Sequence, residues 1–366
     1  QTKLLTSNAM AWRNPLLFSC FFTPALLTAE ITTTAGPRPV IFSSDPGIDD
    51  SIALLLALAS PELDVRAVCI NFGSLFNTSH MAQNALSVLT LAGRSDIPVY
   101  LGATAPLSQA YHDLGGPLFH GKDGLGGVDP PPAAASVNTS RHAAEVIVEE
   151  CRRHTRPLLI SLAPLTNVAL ALNLEPKLPQ LCPDLFLMGG TIMAPGNVGF
   201  LSEANIANDP EAAARVFAAG FNTHVAGLDV TMATWLPTRF LESLRSTGTA
   251  GSFIWNITRF YENAYHHIGG FEDGMPLHDP SAVMMFLHPQ SYELKRWPVV
   301  VDTSPYPSVS RGLVLADRRG GPLSPSPPLT STVHFGMSVD ATSIRESLFQ
   351  RIASLAKGQP VTHLKM

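Results

Sequence analysis

The chain has 366 residues, of which only 14% are charged, and its formal net charge is −5. This charge gives no electrostatic reason to expect nucleic acid as a partner, and four cysteines without C-x-x-C spacing indicate neither a zinc site nor a disulfide framework. A low charged share with long apolar runs favours a sheet enclosed between helices, in one large α/β domain or two ordinary ones.

Residues 1–36 are predicted to form an N-terminal extension. Within it, the run from Leu16 to Leu27 is apolar and follows Arg13, so it resembles a weak signal peptide. Because Pro15 and Pro24 make this run a poor transmembrane helix and it is too short to span a bilayer, we expect no stable membrane insertion. A chain fragment and a disordered tail remain alternatives. We expect a cytoplasmic protein, or a secreted one if residues 10–30 act as a signal.

The first strand and helix lie between Val40 and Ala59. Residues 40–42 are apolar, which is typical of a strand buried on both faces. Pro46 and Gly47 break this strand, and residues 48–59, which contain the apolar run from Ile52 to Ala59, predict a helix ending before Pro61.

Three carboxylates, those of Asp45, Asp49 and Asp50, lie at this strand-to-helix corner. Helix capping accounts for one or two acids at a helix start, but not for a third at the strand tip. Carboxylates crowded in this way repel one another unless a positive charge lies between them. The corner therefore predicts a site for a hard cation such as Ca²⁺ or Mg²⁺.

Strand and helix patterns alternate along the remaining chain. We predict strands at residues 65–72, 97–101, 158–163, 185–188, 223–230, 298–302, 312–316 and 332–336. We predict helices at 78–92, from a Ser140 N-cap to 154, at 165–174, from Asp209 onward, and at 238–245, 252–266, 280–287 and 342–357. Residues 103–137 are rich in Gly and Pro and lack a period, which indicates a functional loop.

This alternation predicts an α/β fold with a mainly parallel, doubly wound sheet flanked by helices. No charge run or long polar linker marks a boundary, so residues 37–366 are expected to form a single domain. In such sheets, ligands bind beyond the carboxyl ends of the strands, where Asp45 falls.

The run from Asp45 to Asp50, Asp-Pro-Gly-Ile-Asp-Asp, resembles the signature of the inosine–uridine nucleoside hydrolase family. Further segments in the family's order agree with it, and the resemblance runs from about Val40 to the last helix. The segments are 120–126 (HGKDGLG), 161–167 (SLAPLTN), 197–205 and 277–280 (LHDP).

The resemblance implies a calcium-dependent enzyme that hydrolyses the N-glycosidic bond of ribonucleosides to ribose and free base. It implies Asp49 as general base and His278 as the group that faces the leaving base. The implied Ca²⁺ ligands are Asp45, Asp50, Asp279 and the main-chain carbonyl of Leu162. The implied substrate contacts are Asn197, Glu203, Asn205, Ser74 and His120. A homo-oligomer, dimer or tetramer, is also implied.

Aromatic side chains are expected to contact the nucleobase from two mobile loops, 103–118 and 252–270. Tyr111, Tyr261 and Tyr265 are the candidates. The sequence does not decide which base is preferred.

Two positions depart from the family pattern. Ser43 stands where the family usually has an Asp that supports the metal, and Ser74 where it often has an Asn that touches ribose. They keep open an alternative, a ribonucleoside-binding homologue with weakened catalysis. A phosphoaspartyl phosphatase needs a nucleophilic Asp at position 43, where this chain has Ser43, and is therefore disfavoured.

Overall fold

Strands and helices alternate along the chain as the pattern predicts. The structure, a computed structural model, describes residues 36–319 and 332–355, so the predicted extension lies outside it except for Gly36. The strands are β1 (Arg38–Ser44), β2 (Leu63–Ile70), β3 (Val99–Leu101), β4 (Leu158–Ser161), β5 (Asp184–Met188), β6 (Asn222–Ala226), β7 (Trp235–Leu236), β8 (Met275–Pro276), β9 (Tyr292–Val301), β10 (Val314–Ala316) and β11 (Thr332–Val339).

Helices connect most of these strands. They are α1 (Ile48–Leu58), α2 (Thr78–Leu91), α3 (Gly116–His120), α4 (Ala143–Arg153), α5 (Thr166–Leu174), α6 (Leu178–Leu181), α7 (Ala204–Asn208), α8 (Pro210–Phe217), α9 (Leu228–Thr231), α10 (Thr238–Arg245), α11 (Thr249–His267), α12 (Asp279–Leu287) and α13 (Ala341–Leu355). A 3₁₀ helix spans Pro289–Ser291.

Within the described residues, nine strands form one sheet in the order β10-β9-β11-β6-β5-β4-β1-β2-β3. The strands from β11 to β3 are parallel to their neighbours, whereas β9 and β10 are antiparallel additions at one edge. The mainly parallel sheet is therefore confirmed. β7 and β8 pair separately as a short antiparallel ribbon.

The sheet changes winding direction between β1 and β4. The chain runs from β1 to β2 and β3 on one side, and then continues through β4, β5 and β6 on the other. The connections diverge at such a point and leave a crevice beyond the carboxyl ends of the strands. Asp45 directly follows β1, so the acidic corner lies at this crevice.

Apolar side chains cover both faces of the sheet. Val40 and Phe42 belong to one buried cluster and Ile41 to the cluster on the other face, as the alternation along a strand requires. Burying each such side chain contributes roughly 1.5–3 kcal/mol.

Several boundaries differ from the prediction, and three of these differences have a clear physical reason. Ser140 does not cap α4: its hydroxyl donates to Asn138, and the cap is His142, whose Nδ1 accepts from the Ala144 N–H. The predicted strand 223–230 ends at Ala226, because Gly227 begins the one-turn helix α9. β9 starts at Tyr292 rather than at residue 298. Its first half carries charged, solvent-facing side chains, so the sequence there does not show the apolar pattern of a strand.

Two negative findings concern the described residues. Cys69, Cys151 and Cys182 are buried and free, while Cys20 lies outside the described part. None of the helices described is both long and apolar enough to cross a lipid bilayer.

Candidate active site

The corner between β1 and α1 holds the Asp50 carboxylate rigidly. Its Oδ1 accepts from the Ser44 hydroxyl at 2.6 Å and the Asp45 N–H at 3.1 Å, and its Oδ2 accepts from the Gly47 N–H at 3.2 Å. The first-turn N–H groups of a helix need acceptors, so the local sequence dictates this arrangement.

A fourth aspartate reaches the corner from another part of the chain. Asp279 is the first residue of α12, and carboxylate oxygens of Asp49, Asp50 and Asp279 lie within 4.8 Å of one another. Burial, reinforced by the Asp49 charge, raises the pKa of Asp279 well above its usual value. Burial also raises the pKa of Asp49, to about 6.

The crowding of these carboxylates fits a bound divalent cation. Among the described residues, no Lys or Arg lines the surrounding cavity, so no side-chain cation of that kind balances the acids. Anionic oxygens are the donors that Ca²⁺ and Mg²⁺ prefer. The donor set therefore suits a hard cation better than a transition metal.

Asp45 lies beside this trio but is engaged differently. Its Oδ2 accepts a short hydrogen bond from the Ser74 N–H, and burial followed by the Asp50 charge raises its pKa well above the usual value. Gly73 makes this approach possible, since a Cβ there would lie 2.0 Å from Asp45 Oδ2. The compact trio thus contains Asp49, which the resemblance assigns as base, rather than Asp45.

The carbonyl of Leu162 lies where β4 ends. It accepts from Asn205 Nδ2 at 3.0 Å, and the same amide nitrogen donates to the Met188 carbonyl at 3.2 Å. Asn205 therefore ties together the ends of β4 and β5, and it leaves the Leu162 oxygen on the cavity wall.

Glu203 caps α7 from within the buried part of the site. Its Oε1 accepts from the Asn205 N–H, and its Oε2 accepts from the Gly190 and Ile206 N–H groups at 2.8 and 3.1 Å. Three amide donors fix the carboxylate, although burial raises its pKa. Asn197 is more exposed, and its Oδ1 accepts from the Ala204 N–H.

His278 is held by a hydrogen bond on each side of its ring. Its Nε2 lies 2.6 Å from the Tyr265 hydroxyl and its Nδ1 lies 2.8 Å from Thr231 Oγ1. Burial, with a smaller contribution from His120, lowers the pKa of His278 to about 3. The imidazole is therefore neutral near pH 7.

The imidazole ring of His120 contacts the backbone of the acidic corner. Its Nδ1 accepts from the Ile48 N–H at 3.2 Å, so that nitrogen carries no proton. Burial lowers the pKa of His120 to about 4, so its 3.8 Å approach to Asp49 is not an ion pair. Only glycine fits at position 47, because a Cβ there would lie 2.5 Å from His120 Nδ1.

These groups surround a cavity of about 300 Å³. Every residue predicted from the sequence as catalytic, metal-binding or sugar-binding lines it: Asp45, Asp49, Asp50, Ser74, His120, Leu162, Asn197, Glu203, Asn205, His278 and Asp279.

The aromatic candidates divide into two groups. Tyr261 and Tyr265 on α11 line the cavity, with ring centroids 5.0 Å apart. Tyr111 does not line it: its ring packs on Phe72 and its hydroxyl donates to the Gly73 carbonyl at 3.4 Å.

Two side chains that support the site are not predicted from the sequence. Thr231 binds His278, and Asp229 accepts from the N–H groups of residues 192–194, which anchors the segment leading to Asn197. Both residues lie at α9, which had been assigned in part to a strand. Gly227 followed by Leu-Asp was the available signal of a helix start.

Comparison with known proteins agrees with this site. Residues 40–346 match the family model described as inosine-uridine preferring nucleoside hydrolase. The chain is 34% identical over 266 residues to a probable uridine nucleosidase 2 of Oryza sativa subsp. japonica, covering 72% of this chain and 78% of the relative. It is 37% identical to the pyrimidine-specific ribonucleoside hydrolase RihA of Citrobacter koseri, covering 76% and 88%.

A solved structure shows the same fold. The purine-preferring ribonucleoside hydrolase from Gardnerella vaginalis superposes with a TM-score of 0.80 at 28% identity, over 88% of this chain and all of that one. The sheet, the acidic corner and the family match lead to one conclusion. The chain belongs to the inosine–uridine preferring nucleoside hydrolase family, whose enzymes hydrolyse the N-glycosidic bond of ribonucleosides.

Proposed function

We propose that this enzyme is a calcium-dependent nucleoside hydrolase that converts a ribonucleoside and water into ribose and free base. The observation that carries the proposal is the group of three buried carboxylates, Asp49, Asp50 and Asp279, on the wall of a cavity without Lys or Arg among the described residues. We also propose a homo-oligomer, on the family resemblance alone.

The proposed Ca²⁺ ligands are Asp45, Asp50, Asp279 and the Leu162 carbonyl. A Ca²⁺ ion held by these groups would supply positive charge for binding the 2′- and 3′-hydroxyls of the sugar and would lower the pKa of a nearby water molecule. Because Asp49 belongs to the compact trio, it is the alternative ligand if Asp45 instead serves as the base.

Asp49 is the proposed general base. Its raised pKa, about 6, makes it a stronger proton acceptor than an exposed aspartate while leaving it largely ionised at neutral pH. It takes the proton of the water that attacks the anomeric carbon as the bond to the base breaks. Positive charge builds on the sugar in this step, and the surrounding carboxylates stabilise it.

His278 is proposed to contact the departing base. Its low pKa favours hydrogen bonding by a neutral imidazole over donation from an imidazolium. The bonds to Tyr265 and Thr231 fix the ring plane, and the Tyr265 hydroxyl extends the chain of polar groups towards the cavity. Asn197, Glu203, Asn205, Ser74 and His120 are proposed to hold the sugar.

Asp49→Asn tests the proposal, because it keeps size and removes the proton acceptor. We expect turnover to fall roughly 10²–10⁴-fold with ribonucleoside binding largely kept. Asp184→Asn, at the opposite end of β5, is the matched control and should leave turnover unchanged.

Three outcomes distinguish the proposed roles of these residues and the alternative of a binding protein. Wild-type protein that binds ribonucleosides without cleaving them would support the weakened homologue, which the unpartnered buried hydroxyl of Ser43 favours. If Asp49→Asn keeps its turnover and Asp45→Asn loses it, Asp45 rather than Asp49 is the general base. Loss of metal in Asp49→Asn would make Asp49 a ligand.

A further inference from the structure

The segment that brings Asn197 to the cavity has little hydrophobic anchorage. Residues 192–201 lie between β5 and α7, and none of them is fully buried, although Ile192 and Ala194 pack against the edge of the core. Phe200 is 81% exposed. Because burial of apolar side chains contributes little here, the conformation of this segment depends on its main-chain hydrogen bonds.

The Asp229 carboxylate accepts most of these bonds at the start of the segment. Its Oδ2 accepts from the Ile192 N–H at 2.8 Å, and its Oδ1 accepts from the Met193 and Ala194 N–H groups at 2.7 and 3.0 Å. Pro195 follows and has no N–H, so one carboxylate accepts from every main-chain donor of this turn. Hydrogen bonds to an ionised acceptor are stronger than those between neutral groups.

Asp229 itself stands on a firmly packed support. It belongs to α9, where Leu228 and Val230 on either side of it are buried. The Leu228 N–H also donates to the Gly190 carbonyl at 2.9 Å, which ties α9 to the end of β5. Loss of the Asp229 charge should therefore release the exposed segment while the buried helix keeps its place.

The turn held by Asp229 leads to Asn197. The Asn197 N–H donates to the Ser202 carbonyl at 3.1 Å, and its Oδ1 accepts from the Ala204 N–H at 3.0 Å. Its Nδ2 has no acceptor within the described part of the chain, and the residue lines the cavity. This nitrogen can donate to a sugar hydroxyl, provided that the main chain keeps it in position.

We propose that Asp229 is a positioning residue that orders the segment 192–201 and so holds Asn197 ready for the sugar. This inference rests on the proposed function for the contact of Asn197 with the sugar. Asp229 does not line the cavity, so it acts through Asn197 rather than on the substrate. A segment that is ordered before binding lowers the entropy cost of binding. Asp49 and His278 lie outside this segment, so loss of Asp229 weakens binding of the nucleoside more than its cleavage once bound.

Asp229→Asn tests this role, because it keeps the size, removes the charge and replaces one acceptor oxygen with a nitrogen that cannot accept. We expect KM for uridine and inosine to rise roughly 10–100-fold, while kcat changes less than about threefold. Distortion of α9 as a whole would instead lower kcat, because Thr231 of the same helix binds His278. Asp340→Asn is the matched control: this carboxylate also accepts from two main-chain N–H groups, at the start of α13, and the variant should keep both constants.

A double-mutant cycle tests whether Asp229 acts through Asn197. Asn197→Ala should lower kcat/KM at least about tenfold in the wild type but less than about threefold in Asp229→Asn, where the side chain is already displaced. Thr191→Val removes a hydroxyl that donates to the Ala194 carbonyl at 2.7 Å, so it loosens the same turn without altering α9. It should also raise KM more than it changes kcat, and it replaces Asp229→Asn if that variant does not fold.

Hydrogen exchange measures the order of the segment without any substrate. The amides of residues 192–194 should exchange at least about tenfold faster in Asp229→Asn than in the wild type, and at the wild-type rate in Asp340→Asn. Equal exchange in all three proteins, additive losses in the cycle, or a loss confined to kcat would each overturn the positioning role and leave the proposed hydrolysis standing.

A protein that cleaves no nucleoside would contradict the proposed function and not this inference. The calorimetric affinity for uridine then replaces KM. The positioning role holds only if Asp229→Asn weakens that affinity at least about tenfold, Asp340→Asn leaves it unchanged, and the amides of residues 192–194 lose their protection.

Discussion

The phenolic hydroxyl of Tyr261 donates to Asp49 Oδ2 at 3.1 Å, which links α11 to the first turn of α1. This bond favours the ionised form of Asp49 and so opposes the effect of burial on its pKa. It joins residues 212 positions apart in the chain, beyond the reach of any local motif.

Tyr261→Phe should therefore lower turnover without unfolding the protein. A hydrogen bond to a charged group contributes roughly 1.5–3 kcal/mol, so we expect kcat to fall about tenfold or more. Tyr292→Phe removes a buried hydroxyl that donates to the Ser281 carbonyl and does not line the cavity of the candidate site, and it should leave kcat unchanged. Equal steady-state kinetics for the two variants would show that Tyr261 does not act on Asp49.

The second prediction concerns the sugar. If the 2′-hydroxyl is held by charged groups of the site, its removal costs roughly 1.5–3 kcal/mol, or about 10–100-fold in kcat/KM. Uridine and 2′-deoxyuridine, compared by release of free base, give the ratio. Similar rates would mean that the site does not grip this hydroxyl.

Some features of the fold could be predicted from the sequence, and others could not. The acidic corner and the cap of α8 at Asp209 were confirmed, because short local patterns specify both. Ser140 failed as a cap because His142 competed with it two residues later. Long-range contacts such as that of Tyr265 with His278 depend on where α11 lies relative to the residue that precedes α12, which local patterns do not reveal.

The candidate site could also be predicted in part. Its residues could be named from the sequence because they stand in segments that resemble the family's motifs, and several of these segments follow strands whose ends meet at one edge of a parallel sheet. The stacking of His112 on Tyr306 could not be predicted, since it depends on two loops meeting in space.

A third prediction uses two neighbouring serines. The Ser43 hydroxyl is buried without a hydrogen-bond partner, whereas the Ser44 hydroxyl donates to Asp50 at 2.6 Å. Ser43→Ala should leave the free energy of unfolding unchanged or raise it by up to about 1 kcal/mol, and Ser44→Ala should lower it by about 1–3 kcal/mol. Urea unfolding measures both; a greater loss in Ser43→Ala would contradict the assignment.

A fourth prediction concerns pH. His224 stacks between Phe186 and His334, and burial lowers its pKa to about 4. The unfolded chain, with an ordinary histidine pKa near 6.5, binds the proton more readily between pH 6.5 and 4. This histidine therefore reduces the free energy of unfolding as pH falls through that window, by about 3 kcal/mol at pH 4.

His224→Gln should make the free energy of unfolding less dependent on pH in this window than it is in the wild type. His267→Gln, at an exposed position at the end of α11, is the control and should keep the wild-type slope. Denaturant titrations at several pH values from 7 to 4 provide the measurement. Parallel curves for all three proteins would refute the role of His224.

Metal removal tests the central claim most directly. The purified enzyme is treated with a chelator, its metal content is determined by elemental analysis, and ribose release from uridine and inosine is then followed as Ca²⁺, Mg²⁺ or Zn²⁺ is added. We predict that the carboxylates of Asp45, Asp50 and Asp279 bind one Ca²⁺ per chain, that activity is lost with it, and that Ca²⁺ restores it. Full activity in metal-free protein, or a requirement for zinc, would contradict this account.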